Sequence, residues 1–258
     1  MLALSACSST ATTTTHGLDT VTSGKLTIAT GQPAYTPWVI GNDPSSGKGF
    51  ESAVAYAVAK QLGFSKNEVV WTRTTFDSAI APGPKDFDFN IQQFSITPAR
   101  LKAVDFSSPY YTTTQAIVTQ KGSPAYNVTT IAGLKNLKIG VPEGTTSYTV
   151  LQEEVGGTPQ VFNSEADAEL ALKSGQIDAL AVDLPTAFYL ASSELKGGKV
   201  IGQFGDSTGG DKFGLLLAKN SSETKKVTAA VDAIRDNGTL AAITKKWLSD
   251  TVNVPVFK

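Results

Sequence analysis

The stretch of the chain from residue 94 to 111, FSITPARLKAVDFSSPYY, contains side chains that could bind an anion. Thr97 is a suitable N-cap and Pro98 suits the first helical position, so the sequence predicts a helix that begins at Thr97. Arg100 would then lie in the first turn, where the helix dipole normally attracts acidic side chains. A bound carboxylate or phosphate would resolve this conflict, because the Ser95 and Thr97 hydroxyls, free N–H groups and the guanidinium could all contact it.

Strand and helix patterns alternate along the rest of the chain. Apolar runs predict short strands at 25–30, 69–72, 87–91, 137–141 and 177–182. Amphipathic segments lie between these runs and continue to the end of the chain. This alternation predicts an α/β fold with largely parallel sheets, in which ligands bind at the carboxyl ends of the strands.

Other polar residues are predicted near such strand ends, and each also has an ordinary structural interpretation. Gly144 permits a tight turn, and Thr145 and Thr146 follow it at a second helix N-terminus, where Thr is also a common cap. Asp183 ends the strand at 177–182, but it could equally cap the helix that follows. Arg100 could turn outward to a surface Asp, and its stretch alone favours neither alternative.

Composition narrows the function classes. The chain has 258 residues and is 41% hydrophobic, which is enough for one large or two medium domains. A net charge of −1 without a basic run argues against a nucleic-acid partner. One Cys cannot form an internal disulfide, and one His without a Cys/His cluster predicts no metal and no cofactor. The sequence contains no motif that pairs a nucleophile with a base, as an enzyme of the hydrolase type would.

The first residues, MLALSAC, are similar to the end of a bacterial lipoprotein signal peptide. This similarity implies that Cys7 is lipidated, and an accidental Leu-Ser-Ala-Cys is the alternative. Residues 8–23 are rich in Thr and Ser and have little apolar content, so residues 1–24 are expected to comprise a signal remnant and a flexible tether.

Several motifs in order resemble the solute-binding proteins of polar amino-acid ABC transporters, which have the type II periplasmic-binding-protein fold. They are SIT-x-x-R with VDFS-x-PYY, EGTT at 143–146, D-A-x-x-x-D at 178–183, and the ending A-I-R-D-N-G-T-L-x-x-I-x-x-K-W. The resemblance covers about residues 25–250. It implies two lobes, each a mostly parallel sheet flanked by helices, with a free amino acid bound in the cleft between them.

The resemblance also implies roles for individual residues. The ligand carboxylate would contact Ser95, Thr97 and Arg100 from one lobe, and Thr145 and Thr146 from the other. Asp183 and the Gln93 carbonyl would contact the ligand ammonium. The rings of Tyr35 and Phe76 would lie on either side of the ligand.

Departures from the family pattern bear on the ligand and on one helix. The loop at 31–38 lacks the Asp that basic-amino-acid binders carry, and Gln32, Gln92 and Gln93 are nearby, so a polar, uncharged side chain is expected. Ala53 replaces a frequent Asp, so the helix that begins near Phe50 is interpreted as structural, and Trp38 as ordinary packing.

The resemblance further implies the domain boundaries and the partners. Lobe one is expected at 25–112 and 213–258, and lobe two at 113–212, with hinge crossings near 112–114 and 212–214. The protein would be a monomer, lipid-anchored outside the cytoplasm, that delivers its ligand to a membrane permease. The alternatives are an enzyme of the same fold, such as a dehydratase, and a ligand-sensing domain.

Overall fold

The computed structural model describes residues 16–205, 210–248 and 254–258, and within them it contains two sheets of five strands each. The strands are β1 Leu26–Gly31, β2 Val69–Thr74, β3 Phe89–Asn90, β4 Val104–Thr113, β5 Gln115–Thr119, β6 Ile139–Pro142, β7 Gln160–Phe162, β8 Ala179–Asp183, β9 Lys199–Gln203 and β10 Asp211–Ala218. The α-helices are α1 Phe50–Gln61, α2 Phe76–Ile80, α3 Ile131–Leu134, α4 Thr146–Val150, α5 Glu165–Lys173, α6 Leu184–Tyr189, α7 Thr224–Asp236 and α8 Thr239–Leu248. None of the helices in the described ranges has both the length and the apolar content needed to span a membrane.

The first sheet has the strand order β2-β1-β3-β10-β4. β1 is parallel to β2 and β3, whereas β10 is antiparallel to β3 and β4. Every residue of β1 is buried, as expected for a central parallel strand covered on both faces. Val54 and Val58 of α1 pack with Val231 and Ile234 of α7 in the core beside this sheet, because the i, i+4 and i, i+3 spacings place each pair on one helix face.

The second sheet has the strand order β7-β6-β8-β5-β9. β6 is parallel to β7 and β8, and β5 is antiparallel to β8 and β9. Successive residues of β5 point to opposite faces of the sheet, and Ile117 packs in the apolar cluster on one face while Val118 packs in the cluster on the other. The second sheet is therefore buried on both faces, like the first.

Thr114 is the single residue between β4 of the first sheet and β5 of the second. The chain returns to the first sheet in β10, where Asp211 pairs with Thr113, so the two crossings lie side by side. The predicted fold, two lobes that each contain a sheet flanked by helices, is confirmed.

Residues 16–24 differ from the predicted tether, because they pack on the first lobe. Leu18 is 2% exposed within the first core. The Val21 N–H donates to Asp88 Oδ1 at 2.8 Å, and the Asp19 N–H donates to Glu223 Oε1 at 3.3 Å. One buried apolar side chain and these backbone hydrogen bonds hold a segment whose composition indicated disorder. Cys7, predicted as the lipidation site, lies outside the described residues.

The last five residues also differ from the predicted boundaries, which placed 213–258 in lobe one. Phe257 is 6% exposed and packs in the second core, with its ring centroid 5.4 Å from that of Phe204. The Gln203 N–H donates to the Pro255 carbonyl at 2.9 Å, and the Phe257 N–H donates to the Gln203 carbonyl at 2.9 Å. These contacts assign residues 254–258 to the second lobe.

Candidate functional site

A cavity of about 160 Å³ lies between the two lobes, at the carboxyl ends of β1, β2, β6 and β8. Its volume limits an occupant to a small molecule. Eight of the nine predicted ligand contacts line this cavity: Tyr35, Phe76, Gln93, Ser95, Arg100, Thr145, Thr146 and Asp183. Thr97 is the exception. Residues scattered over 149 positions of the sequence, from 35 to 183, therefore face one enclosed space.

The helix predicted to begin at Thr97 is instead a single 3-10 turn, Arg100–Lys102. Thr97 Oγ1 accepts a hydrogen bond from the Arg100 N–H at 3.2 Å, and its carbonyl accepts one from the Leu101 N–H at 3.0 Å. Thr97 thus acts as a local cap that shapes the turn. Its hydroxyl is used by the backbone, which explains why Thr97 does not face the cavity.

The Arg100 guanidinium faces the cavity rather than a surface Asp. Nη1 donates to the Ser95 carbonyl at 2.8 Å, and Nη2 donates to the Gly144 carbonyl of the other lobe at 2.9 Å. The guanidinium carbon lies 5.2 Å from the centroid of the Phe76 ring, in cation–π range. Burial lowers the pKa of Arg100, while the carboxylates of Asp211 and Asp183 oppose that shift. The cation is thus held by carbonyl groups and an aromatic face.

Two aromatic side chains border the cavity. Phe76 is the first residue of α2, and the N-cap Thr75 before it accepts a hydrogen bond from the Ser78 N–H. The centroid of the Phe76 ring lies 4.8 Å from that of Phe94. The Tyr35 hydroxyl accepts a hydrogen bond from the Ala166 N–H at 3.3 Å, across the cleft. Burial, with the nearby carboxylate of Glu165, raises the pKa of Tyr35 to about 12, so its hydroxyl stays neutral.

The turn after β6 brings two threonines to the second wall of the cavity. Gly144 has φ +71°, which a side chain would strain, and a Cβ there would lie 2.6 Å from Asp77 Oδ1. Thr145 precedes α4, but its hydroxyl donates to the Pro142 carbonyl at 2.9 Å. The Thr146 hydroxyl donates to Asp211 Oδ2 at 2.8 Å and lies 3.4 Å from Ser95 Oγ.

Asp183 occupies the N-cap position of α6 but makes no capping hydrogen bond with its side chain. Its Oδ1 accepts a hydrogen bond from Gln115 Nε2 at 2.7 Å instead. Burial, followed by repulsion from Asp211, raises the pKa of Asp183 to about 8. The carboxyl group therefore lies where a cation in the cavity would restore its ionised form.

Gln115, which sequence reasoning missed, connects these polar groups. The side chain is 4% exposed, and its Nε2 donates to Asp183 and, at 2.6 Å, to Asp211 Oδ2. Its Oε1 accepts a hydrogen bond from Ser147 Oγ at 2.6 Å. A single Gln at the start of a strand carries no local signal of this role, because its partners lie 32 to 96 positions further along the chain.

Glu51 was also missed, because α1 was interpreted as purely structural. Its carboxylate is completely buried and accepts hydrogen bonds from the Gln93 N–H at 2.8 Å, from Gln93 Nε2 and from the Tyr110 hydroxyl. Gln93 itself adopts φ +49°, an uncommon conformation for a residue with a side chain. Glu51 thus holds Gln93 against the cavity, and burial raises the pKa of Glu51 to about 7.

Two further carboxylates line the cavity without having been predicted, Glu143 before α4 and Glu165 at the start of α5. Burial, followed by the charges of Asp183 and Glu169, raises the pKa of Glu165 to about 8. An acidic residue in the first turn of a helix is common, so the sequence offered no reason to single out Glu165.

A profile of the bacterial extracellular solute-binding proteins, family 3, matches residues 26–250 of this sequence. The chain belongs to that family. Membership assigns this solute-binding protein to the outside of the cytoplasm and agrees with the two-lobed fold.

Individual members of the family are also similar to this solute-binding protein. The L-cystine-binding protein TcyJ of Escherichia coli (strain K12) is 29% identical over 221 residues, which are 84% of this chain and 80% of TcyJ. The ABC transporter glutamine-binding protein GlnH of Bacillus subtilis (strain 168) is 29% identical over 81% of this chain and 76% of GlnH. The structure of an ancestral arginine-binding protein bound to glutamine superimposes with a TM-score of 0.74 at 30% identity, covering 88% of this chain and 99% of that chain.

The lobes of this solute-binding protein touch directly around the cavity. Trp38 Nε1 of the first lobe donates to Thr186 Oγ1 of the second at 2.9 Å, and Trp38 is completely buried. The contacts of Arg100 with Gly144 and of Tyr35 with Ala166 also join the two lobes. The structure is therefore a closed arrangement, in which Trp38 packs as the sequence indicated but also bonds across the cleft.

Proposed function

We propose that this protein captures a free α-amino acid in the cavity between its lobes and delivers it to an ABC transporter permease. The observation that carries the proposal is the placement of Arg100 and Asp183 on opposite walls of one cavity. An amino acid at neutral pH presents a carboxylate and an ammonium a short distance apart. Arg100 would bind the carboxylate with two parallel hydrogen bonds, and Asp183 would pair with the ammonium.

The neighbouring groups would complete the binding of the amino-acid backbone. Ser95 would donate its hydroxyl proton to the carboxylate. The Thr146 hydroxyl, 3.4 Å from that of Ser95 across the cleft, would turn from Asp211 to donate to the same group. Thr97 would support this contact through the turn that holds Arg100. Thr145, at the N-terminus of α4, would donate its backbone N–H to the carboxylate. Gln93, which Glu51 orients, would accept a hydrogen bond from the ammonium with its carbonyl.

The walls of the cavity support a polar side chain on the ligand. Tyr35 and Phe76 would lie against its aliphatic part and exclude water. Gln32, Gln92 and Gln93 line the cavity, and the loop at 31–38 contains no acid, which supports a polar, uncharged side chain.

The proposal extends to the place where the protein acts. Lipidation of Cys7 would anchor a monomer to the outer face of the cell membrane, next to the permease. The support is the Leu-Ser-Ala-Cys sequence followed by a Thr- and Ser-rich tract. Expression in a host that processes lipoproteins, followed by mass spectrometry of the N-terminal peptide, tests this part. In a detergent phase partition, the wild type should enter the detergent phase and a Cys7→Ala control should stay in the aqueous phase. An unmodified Cys7 in the wild type would contradict the lipid anchor.

Titration calorimetry of the purified protein against the twenty amino acids tests the central proposal. We expect micromolar or tighter binding of at least one polar amino acid, and a smaller radius of gyration in solution scattering if the unliganded protein opens at the crossings near 112–114 and 212–214. Chromatography of each binding mixture after incubation checks the enzyme alternative. A stable ligand supports a binding protein, whereas turnover of the ligand would indicate a dehydratase or related enzyme.

A further inference from the structure

The cavity is lined by more acidic than basic side chains. Among the residues that the structure describes, its lining contains three carboxyl groups, those of Glu143, Glu165 and Asp183, and a single cationic side chain, Arg100. Every one of the 22 Lys and Arg residues of the chain falls within the described ranges, so no further cation of this chain lies beyond them. An amino-acid backbone, with one positive and one negative charge, would leave the excess of carboxylates uncompensated.

Glu165 lines the cavity and has no partner for its carboxyl group among the described residues. It forms no hydrogen bond and no ion pair with the residues that the structure describes, whereas Asp183 accepts a hydrogen bond from Gln115. Its nearby charged groups are the acids Asp183 and Glu169. Such an isolated carboxylate is stabilised when a ligand brings a hydrogen-bond donor or a cation to it.

The opposite wall contributes two more unpaired polar atoms. Thr30 is 1% exposed and lines the cavity from β1, but its Oγ1 has no hydrogen-bond partner within the described residues. Gln92 also lines the cavity, and its Oε1 is buried without a partner among the same residues. A buried acceptor without a donor is costly, so these atoms are expected to be satisfied by the ligand.

We propose that Glu165, with Gln92 and Thr30, forms a subsite that selects a ligand whose side chain ends in a hydrogen-bond donor. The donor is an amide NH2, in agreement with the polar, uncharged side chain proposed above, and a terminal carboxylate is rejected. This inference rests on the proposed amino-acid-binding function and deepens it. Above about pH 8, where Glu165 is ionised, a carboxylate at the end of the ligand would lie against a second negative charge, and the low dielectric constant of the cavity strengthens the repulsion.

Pairs of amino acids that differ only in the terminal group test the subsite. In calorimetry at pH 8.5, above the pKa of Glu165, glutamine should bind at least about a hundredfold more tightly than glutamate, and asparagine more tightly than aspartate, because a ligand carboxylate brings no donor to these buried acceptors. Glu165→Gln keeps the size of the side chain and supplies an NH2 donor to a carboxylate. This variant should bind glutamate at least about tenfold more tightly than the wild type does, which narrows the ratio.

Glu169→Gln is the matched control, because it removes one negative charge from the same helix, one turn away and outside the cavity lining. It should keep the wild-type ratio between glutamine and glutamate. Equal binding of the two amino acids by the wild type, or an unchanged ratio in Glu165→Gln, would overturn the subsite while leaving the proposed function intact. Failure of all twenty amino acids to bind would instead refute the proposed function, and the subsite with it.

Discussion

The two walls of the cavity differ in charge. The wall built from the first lobe supplies the cation Arg100 and neutral polar groups such as Ser95, whereas the wall built from the second lobe supplies all three lining carboxylates. Neither wall alone complements a zwitterion. A ligand that carries both charges must therefore contact both lobes, and its differential affinity for the closed arrangement is what would hold the lobes together.

The walls also differ in how their charged groups are held. The Arg100 guanidinium donates to two backbone carbonyls, one in each lobe, at 2.8 and 2.9 Å. Asp183 receives one side-chain hydrogen bond and faces other acids, which together with burial raises its pKa to about 8. The Arg100 guanidinium therefore has protein partners in both lobes, whereas the Asp183 carboxyl group has one partner and lies near other acids.

Removal of the cation from the first wall should have the largest effect on binding. Arg100→Ala would leave the ligand carboxylate buried without its partner, a loss of about 3–5 kcal/mol, which is a factor on the order of a hundred or more. Arg100→Lys should restore only part of the affinity, because Lys cannot form two parallel hydrogen bonds. Calorimetry measures both variants.

Lys102→Ala is the control for this prediction, because it removes an exposed cation from the same 3-10 turn. It should bind as the wild type does. If Arg100→Ala also retained wild-type affinity, the difference between the walls would have no role in ligand binding.

Neutralising the second wall should have a smaller and more selective effect. Asp183→Asn keeps the shape of the side chain but loses the charge that would pair with the ligand ammonium. We expect about 1.5–3 kcal/mol of lost affinity, the usual range for a hydrogen bond to a charged group. The des-amino analogue of the ligand should bind the variant and the wild type equally. Equal losses for both ligands would place the ammonium elsewhere in the cavity.

The pH dependence of the stability of the unliganded protein should report on Asp183, the titrating carboxyl group of the second wall. The folded-state pKa of Asp183, about 8, lies above its ordinary value of 3.8, so the folded state binds more protons than the unfolded state between these values. The free energy of unfolding should therefore fall as pH rises through this window, with Tm falling by roughly 2–4 °C per kcal/mol.

Thermal unfolding from pH 4 to pH 9 measures this dependence, and Asp183→Asn should show a flatter decline than the wild type. A saturating amino acid should also reduce the decline, because its ammonium stabilises the ionised carboxylate. Identical slopes for the variant and the wild type would show that Asp183 titrates normally.

The direct contact between the lobes should have the smallest effect. Thr186→Val removes the hydroxyl that accepts the Trp38 Nε1–H at 2.9 Å and keeps nearly the same volume. The loss should be about 1 kcal/mol of stability in the closed arrangement. Thr186→Ser retains the hydroxyl and should behave like the wild type. A wild-type Tm in Thr186→Val would mean that the indole N–H finds another partner.

Short-range patterns made several site residues candidates. Ser95, Thr97 and Arg100 lie within six residues of one another, and Asp183 directly ends an apolar run, but these patterns left structural alternatives open and the family resemblance implied the ligand roles. Thr97 shows why the alternatives remained open, because a hydroxyl that suits a ligand also suits the backbone of the 3-10 turn. In the folded chain the Arg100 N–H donates to this hydroxyl.

Contacts that are distant in sequence could not be predicted in this way. Glu51 meets Gln93 across 42 positions, and Gln115 meets Asp211 across 96. Leu18 and Phe257, near the two ends of the chain, are buried in different lobes. No periodicity or spacing indicates such partners, because they depend on which surfaces the fold brings together.

The sequence by itself determined the alternation of strands and helices, and hence the α/β class, because hydrophobic periodicity and capping act over a few residues. It also determined the chemical types at the strand ends. The tertiary structure alone decided which of those groups share a cavity and in which charge state. A carboxylate such as Glu165 acquires a pKa of about 8 only when folding buries it beside Asp183, 18 positions away in the chain. Burial and neighbouring charge are properties of the assembled lobes, and they make one acidic residue a candidate for ligand recognition while another remains on the surface.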